Sequence, residues 1–109
     1  MRKEHSTNTI NEQTLQQFCN AAKTLALFQG RWKLSILFHL QEGPSHYTAF
    51  KQLLPAVSDR TLSKQLNELM ADGVIVKEKT KTESIYTLSP YGHSLGPVLS
   101  ALSGFLHQP

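Results

Sequence analysis

The segment from Ser58 to Asn67 carries the donor side chains best suited to holding a polyanion. Successive residues of a helix are about 100° apart, so the polar side chains of this segment fall on the face opposite its leucines. That polar face carries Arg60, Thr61, Lys64, Asn67 and Glu68. Guanidinium, ammonium, hydroxyl and amide groups near the start of a helix have the reach and the donors for base edges and phosphates. The pattern therefore indicates a helix that contacts nucleic acid.

Further groups that could hold phosphate lie close to this helix in the sequence. Ser58 is a good N-cap residue, and the amides of the first helical turn can bind a phosphate. Beyond the helix, Lys77, Lys79 and Lys81 occupy alternate positions. If an extended strand continues through them, all three ammonium groups project to one face, because side chains alternate along a strand. The predicted DNA-binding set is Ser58, Arg60, Thr61, Lys64, Gln65, Asn67, Lys77, Lys79 and Lys81.

A solvated surface is the alternative explanation for this polar face. Polar side chains on the outside of a helix usually contact only water. Glu68 and Glu78 also place negative charge beside the basic groups, which weakens a purely electrostatic attraction to phosphate. We therefore expect DNA binding to depend on specific contacts and on a dimer.

The first half of the chain is read from apolar spacing and from residues that stop helices. Spacings of three and four predict a first helix from about Thr14 to Gly30. A second helix ends at Gly43-Pro44, since glycine caps a helix and proline prevents its continuation. A short extended piece over 46–48 and a brief helix over 49–54 follow.

The second half has clearer boundaries. Ser58 and Asp72-Gly73 bound the helix that carries the polar face. The segments 74–76 and 84–88 predict an antiparallel hairpin whose tip lies at 80–83. Ser89-Pro90 then starts a last helix, in which Pro97 bends or resets the early turns.

This order, α-α-β-α-α-β-β-α, predicts a mainly α protein with a small β-hairpin wing, that is, a winged helix-turn-helix. In such a motif the second helix of the helix-turn-helix enters the major groove. Residues 1–12 lack periodicity and are predicted as a flexible N-terminal arm. Residues 13–109 are predicted as one DNA-binding and dimerisation domain.

An ordered set of short motifs runs from Cys19 to Leu106. The motifs are Gly30-Arg31-Trp32-Lys33, Ile36-Leu37, Gly43-Pro44, Leu53-Leu54-Pro55, Ser58-Asp59-Arg60-Thr61-Leu62, Gln65-Leu66, Asp72-Gly73 and Tyr86-Thr87-Leu88-Ser89-Pro90. In this set the chain resembles the HxlR-type winged-helix transcriptional regulators, which are relatives of the MarR group. The resemblance implies a bacterial homodimer in which the first and last helices form the dimer and the Ser58-capped helix reads double-stranded DNA. The wing departs from the family pattern, because Thr82-Glu83-Ser84-Ile85 replaces a proline pair and an arginine, which leaves the lysines as wing contacts.

The C-terminal stretch from Ser84 to Pro109 contains none of the 11 basic and 8 acidic residues of the chain. Its helix is too apolar for a solvated surface and too short for a membrane span, which needs roughly 18 apolar residues. Burial against a second subunit explains both properties, since interface centres are depleted of charge. Packing on the chain's own first helix is the alternative for part of this face. The predicted dimer interface comprises Leu15, Phe18, Leu95, Val98, Leu99, Leu102, Phe105 and Leu106.

Cys19 is the single cysteine of the 109 residues. The resembled family often carries a cysteine near this position, and several members use it to sense oxidants or electrophiles, so the resemblance makes Cys19 a candidate redox sensor. Asn20 stands where the family usually has proline. The position of Cys19 on the apolar stripe beside Phe18 and Ala22 favours inert packing instead, because a reactive thiol must be exposed and have a lowered pKa.

Other chemistry is not indicated by the sequence. The N-terminus MRKEHSTNTI has no apolar signal region and one cysteine forms no internal disulfide, so we expect a cytoplasmic protein that does not contact membranes. The five histidines show no metal-ligand spacing, and no phosphate loop or catalytic motif is present. We therefore expect no cofactor, no metal and no enzyme activity. Trp32, Tyr47 and Phe50 are interpreted as core residues.

Two other functions stay open at this point. The first is a winged-helix module that binds proteins and never meets DNA. The second, more distant, is a small enzyme with Cys19 as its nucleophile, which would need an activating histidine beside that thiol. The sequence identifies no small-molecule effector.

Overall fold

The computed structural model describes residues 2–106, with side chains described from residue 11. Its helices are α1 (Arg2–Ala26), α2 (Lys33–Gln41), α3 (Tyr47–Leu53), α4 (Asp59–Ala71), α5 (Pro90–His93) and α6 (Gly96–Phe105). Its strands are β1 (Ser45–His46), β2 (Ile75–Lys79) and β3 (Ser84–Leu88). The chain is thus mostly helical with a small sheet, in the order of a winged helix-turn-helix, which confirms the predicted fold class.

The three strands form one antiparallel sheet in the order β1-β3-β2. The β2–β3 hairpin is the predicted wing, and its turn spans 80–83. Tyr86 in the central strand pairs with Ser45 on one side and with Lys77 on the other. Because Tyr86 and Leu88 are buried, the base of the wing is anchored in the core while its tip extends from it.

The core lies between α2, α4 and the sheet. Leu62, Leu66 and Leu69 of α4 are each no more than 1% exposed, which confirms the apolar stripe of that helix. Phe50 of α3 fills the centre and meets the Tyr86 ring edge to face, with centroids 5.9 Å apart. Burial of this stripe fixes the rotation of α4 and so decides which of its side chains face outward.

The chain leaves the wing through a tight contact between α5 and the start of the hairpin. The Ser89 hydroxyl accepts a hydrogen bond from the Gly92 amide (2.9 Å) and donates one to the Gly73 carbonyl oxygen (2.6 Å). Gly92 lies so close to the Val74 carbonyl oxygen that a Cβ there would overlap it. Only glycine fits at this crossing.

The first helix differs from expectation, whereas the last helix is interrupted as expected. Helix α1 begins at Arg2 rather than near Thr14, because polar residues can continue a helix beyond its apolar stripe. The division of the chain at residue 12 stays a prediction. At the other end, α5 stops at His93 and α6 restarts at Gly96, with Pro97 in its first turn. This confirms the predicted reset, since proline lacks the N–H that an interior helical position requires.

Candidate nucleic-acid interface

The start of α4 is held by its N-cap. The Ser58 hydroxyl accepts a hydrogen bond from the Thr61 amide (3.1 Å) and donates one to the Thr61 hydroxyl oxygen (3.0 Å). Ser58 thus caps the helix as the sequence predicts. Its hydroxyl is already engaged with Thr61, so the two residues stabilise the helix start as well as lying near the face that DNA would approach.

The outward face of α4 forms a shallow open groove with a basic lining. The groove is lined by Arg60, Ser63, Lys64, Asn67, Glu68 and Ala71. Arg60, Lys64 and Asn67 are exposed, so three of the predicted DNA-binding residues lie side by side on the surface. Each carries donors that suit phosphate or base edges.

Gln65 does not share this face, which corrects one predicted contact residue. It is 8% exposed, and its amide oxygen is buried without a hydrogen-bond partner among the described residues. The side chain lies against Gly30, where an added Cβ would be 2.5 Å from that oxygen. Gly30 also has φ +122°, a backbone region that favours glycine. Gln65 therefore packs α4 against the turn between α1 and α2 and is not available to DNA.

An ion pair holds the same flank of α4. The ammonium of Lys33, whose side chain is 7% exposed, lies 2.7 Å from the Glu68 carboxylate. Hydrogen bonding to Lys33 holds the pKa of Glu68 below its ordinary value. The sequence left Glu68 as a negative charge that opposes DNA. The structure compensates that charge, and no local sequence signal connects positions 33 and 68.

The opposite flank of α4 is held by side chains from α3. The Tyr47 hydroxyl donates to the Asp59 carboxylate (3.2 Å) and lies 3.4 Å from the Ser63 hydroxyl oxygen. Lys51 lies 3.1 Å from the Asp59 carboxylate and donates to the Val57 carbonyl oxygen (2.7 Å). Hydrogen bonding to Lys51, with its charge and a further bond from Tyr47, holds the pKa of Asp59 below its ordinary value.

Tyr47 packs against the core as the sequence indicated, and its hydroxyl has a second role that the sequence analysis did not identify. Its ring is half-buried, but its hydroxyl connects the two helices of the helix-turn-helix. The available signal was the residue type, since a tyrosine in place of phenylalanine usually has a partner for its hydroxyl. Together with Lys51 it fixes the start of α4 relative to α3.

The wing departs from the expectation that its three lysines share one strand face. Strand β2 ends at Lys79, so Lys81 lies in the turn and strand alternation does not apply to it. Lys77 pairs in register with Tyr86, and its ammonium lies 5.9 Å from the ring centroid of that residue. All three lysines are exposed and can approach a phosphate, and Lys77 and Lys79, two residues apart in β2, share a strand face as predicted.

A second contact links the wing to the first strand. Nδ1 of His46 lies 3.3 Å from the Glu83 carboxylate in the wing turn. Within the turn, the Thr80 amide donates to the Glu83 carbonyl oxygen (2.8 Å). These bonds order the tip of the wing beside β1, and neither was apparent from the sequence.

The predicted dimer residues separate into two groups. Leu95 and Leu99 are 5% and 1% exposed and belong to the core of their own chain, so their assignment to a subunit interface is wrong. They occupy the side of α6 that packs inward, which the apolar pattern alone does not distinguish from the outer side. Val98 is half-buried against the same core.

The remaining predicted dimer residues are exposed. On α6, an apolar surface is lined by Pro97, Val98, Ala101, Leu102, Phe105 and Leu106. On α1, Leu15 is 62% and Phe18 is 70% exposed. Large apolar side chains arranged in a continuous surface mark interaction sites. Cys19 is also exposed, so its thiol is not packed in the interior of its own chain.

Membrane-spanning helices and metal-binding clusters are both absent from the described part of the chain. Across residues 2–106, no helix is long and apolar enough to cross a membrane. Among the side chains that are described, those of residues 11–106, no three His, Cys, Asp or Glu come together in a group that could hold a metal ion.

Comparison with known proteins gives one matching family and close structural neighbours. Residues 27–108 match the HxlR-like helix-turn-helix family. The uncharacterized HTH-type transcriptional regulator YdeP of Bacillus subtilis (strain 168) is 37% identical over 84 residues, which are 74% of this chain and 66% of that relative. The chain thus spans just under two thirds of the length of this relative.

Two solved structures share the fold. The HTH-type transcriptional regulator ytcD superposes with a TM-score of 0.73 at 36% identity, covering 78% of this chain and 90% of that chain. The redox regulator HypR in its oxidized form gives a TM-score of 0.73 at 28% identity, covering 80% of this chain and 93% of that one.

Proposed function

This chain belongs to the HxlR-like helix-turn-helix family, a class of transcriptional regulators without enzymatic activity, and from that premise we propose that it binds DNA sequence-specifically as a homodimer. In the proposal, α4 enters the major groove of a half-site and the wing lysines contact phosphates beside it. The dimer places two such helices on an inverted-repeat operator in the bacterial cytoplasm.

The exposed row of Arg60, Lys64 and Asn67 along α4 carries this proposal. These side chains stand on a helix whose opposite side is fully packed and whose flanks are held by Lys33 and Tyr47. A rigid helix with flexible donors on its outer face suits base readout, because the donors must be held in register with the base edges. The ion pair between Lys33 and Glu68 supports the proposal further, since it offsets the one carboxylate of that groove.

The exposed apolar surfaces of α1 and α6 support the dimer. Leu102 and Phe105 of α6 are 45% and 69% exposed, Leu106 directly after the helix is 85% exposed, and the helix carries no charged residue. A second copy offers the same apolar helices in return, as a two-fold interface requires. Phe18 and Leu15 of α1 are 70% and 62% exposed and offer further apolar area for such a partner.

Selection of bound duplexes from a random DNA library tests the proposal. We expect an inverted repeat whose half-sites are centred about one helical turn, or a multiple of it, apart. Affinity for the selected duplex should fall steeply as salt rises, because bound phosphates release counterions. Recovery of no preferred sequence, together with affinity that does not respond to salt, would contradict the proposal.

A protein-interaction module that does not bind DNA is the competing function. The α6 surface suits either function, but the basic groove on α4 favours DNA. The salt series separates the two, since an apolar protein interface responds weakly to ionic strength.

We further propose that Cys19 makes the regulator responsive to oxidants or electrophiles. The exposed thiol and the likeness to the redox regulator HypR support this role. Cys19 follows Phe18 on α1, so a group added to the sulfur would lie next to the apolar surface that the dimer would bury. Treatment with a quinone should add mass at Cys19 and release DNA. Cys19→Ser should bind DNA but not respond, whereas a response that persists in Cys19→Ser would contradict this role.

A further inference from the structure

We propose that Arg31 is a phosphate-binding residue that holds the DNA backbone alongside α4. The proposal rests on the DNA-binding function above and adds a contact outside both α4 and the wing. It concerns the turn between α1 and α2, which lies against one flank of α4.

Two contacts place this turn beside α4. Gly30 lies against the Gln65 side chain, and Lys33 is bonded to Glu68 at 2.7 Å. Arg31 lies between Gly30 and Lys33 in the sequence, so its backbone follows the same flank. The turn itself is closed by a hydrogen bond from the Lys33 amide to the Gly30 carbonyl oxygen (3.3 Å).

The guanidinium of Arg31 is exposed and held in place. It stacks on the Trp32 ring, 4.6 Å from the ring centroid. The ring is half-buried and packs against the hydrophobic core, so it provides a fixed platform. A guanidinium stacked on an aromatic face keeps its N–H edge free for a phosphate. Across residues 11–106, no carboxylate forms a salt bridge with it.

Arg31 carries the positive charge of this turn that is available to a phosphate. Lys33 is not available to a phosphate, because its side chain is only 7% exposed and its ammonium is already paired with the Glu68 carboxylate. The pair therefore contributes little field toward DNA, and Arg31 supplies the remaining positive charge of the turn.

The dimensions of DNA bring this flank to a phosphate strand. The major groove is about 12 Å wide, and a helix with its side chains is about 10–12 Å across. A helix in the groove therefore fills it, so whatever lies along the side of the helix meets the sugar-phosphate ridge. Arg31 would then contact phosphate, which fixes position and carries no sequence information.

The experiment measures binding of Arg31→Ala to a fluorescein-labelled duplex of arbitrary sequence by anisotropy across a salt series. We expect weaker binding at low salt and a slope of log affinity against log salt that is smaller by about one, as for the loss of one phosphate contact. Arg31→Lys should retain the slope because it retains the charge. Gln29→Ala changes an exposed neutral residue of the same turn and should behave as the wild type.

Trp32 provides an independent readout, since it is the only tryptophan of the chain. Saturating duplex should change its emission in the wild type, because the stacked guanidinium engages phosphate, and the change should shrink in Arg31→Ala. An unchanged slope and an unchanged emission response in Arg31→Ala would overturn the proposal, as would an equal loss in Gln29→Ala.

A parallel titration of Lys64→Ala separates this inference from the proposed function. If Lys64→Ala weakens binding and Arg31→Ala does not, only the inference fails. If the wild type binds no duplex at low salt, the proposed function fails with it.

Discussion

Two leucines three residues apart on α6 should affect different properties when each is replaced by alanine. Leu102 is 45% exposed and lies on the apolar surface assigned to the dimer, whereas Leu99 is 1% exposed inside its own chain. Leu102→Ala should therefore weaken association and leave the protomer folded. Leu99→Ala should destabilise the protomer itself.

The magnitude for Leu102 follows from its exposed fraction. Full burial of a leucine side chain contributes about 1.5–3 kcal/mol, so covering the exposed 45% contributes roughly 0.7–1.4 kcal/mol per protomer. A two-fold interface counts this twice, which gives about 1.4–2.7 kcal/mol per dimer. The dissociation constant of the dimer should rise roughly 10- to 100-fold. Leu99→Ala should lower the free energy of unfolding by about 2–5 kcal/mol, as for other fully buried leucines.

Sedimentation velocity over a range of protein concentrations measures association, and thermal unfolding by circular dichroism measures stability. Ser100→Ala is the matched control, because Ser100 is exposed on the side of α6 away from the apolar surface. An unchanged dimer in Leu102→Ala would refute the assignment of this surface. A folded but monomeric Leu99→Ala would refute the division of the helix into an inner and an outer side.

Three further predictions follow from individual contacts. Gly92→Ala should destabilise the protein severely and abolish the thermal transition of the wild type, because a Cβ there overlaps the Val74 carbonyl oxygen. Gly104→Ala is the control and should retain the transition, because open space surrounds Gly104. Tyr47→Phe should weaken DNA binding modestly while leaving the ring packing intact, since it removes only the hydroxyl bonded to Asp59. Binding titrations and thermal unfolding on the same samples would show whether the lost affinity comes from a displaced α4 or from a less stable fold. Stability should fall as pH drops through the acid range, because a carboxyl whose pKa is lowered by folding stabilises the protein above its unfolded pKa and loses this contribution as pH falls through the folded pKa. The double variant Asp59→Asn, Glu68→Gln should therefore show a weaker dependence of the melting temperature on pH below pH 4.5. A dependence equal to that of the wild type would contradict the two ion pairs.

Local patterns predicted the elements of the fold well. The cap at Ser58, the leucine stripe of α4 and the wing each depend on residues close together in sequence, and all are present. The reset at Pro97 follows from one residue and is also present. These features could be predicted because helix caps, side-chain periodicity and proline act within a few residues.

Contacts between residues far apart in the chain determine features that local sequence patterns did not predict. Gln65 borders the polar face of α4 on a helical wheel, and only its contact with Gly30, far away in the chain, buries it. Leu99 shows the same limit, because an apolar helix carries no mark of which side its own core will cover. Lys33, Tyr47 and His46 form side-chain contacts across elements for the same reason.

The affinity of Lys64→Ala and Arg60→Ala for a selected operator, measured at fixed salt against the wild type, tests the central claim that α4 reads DNA. Both side chains are exposed, so their truncation should leave the fold intact, and Gln52→Ala, an exposed change outside the groove, serves as the control. Each of the two variants should lose about 1–3 kcal/mol of binding free energy, roughly 5- to 150-fold in affinity, if its side chain contacts a base. Wild-type affinity in both variants would contradict the placement of α4 in the groove.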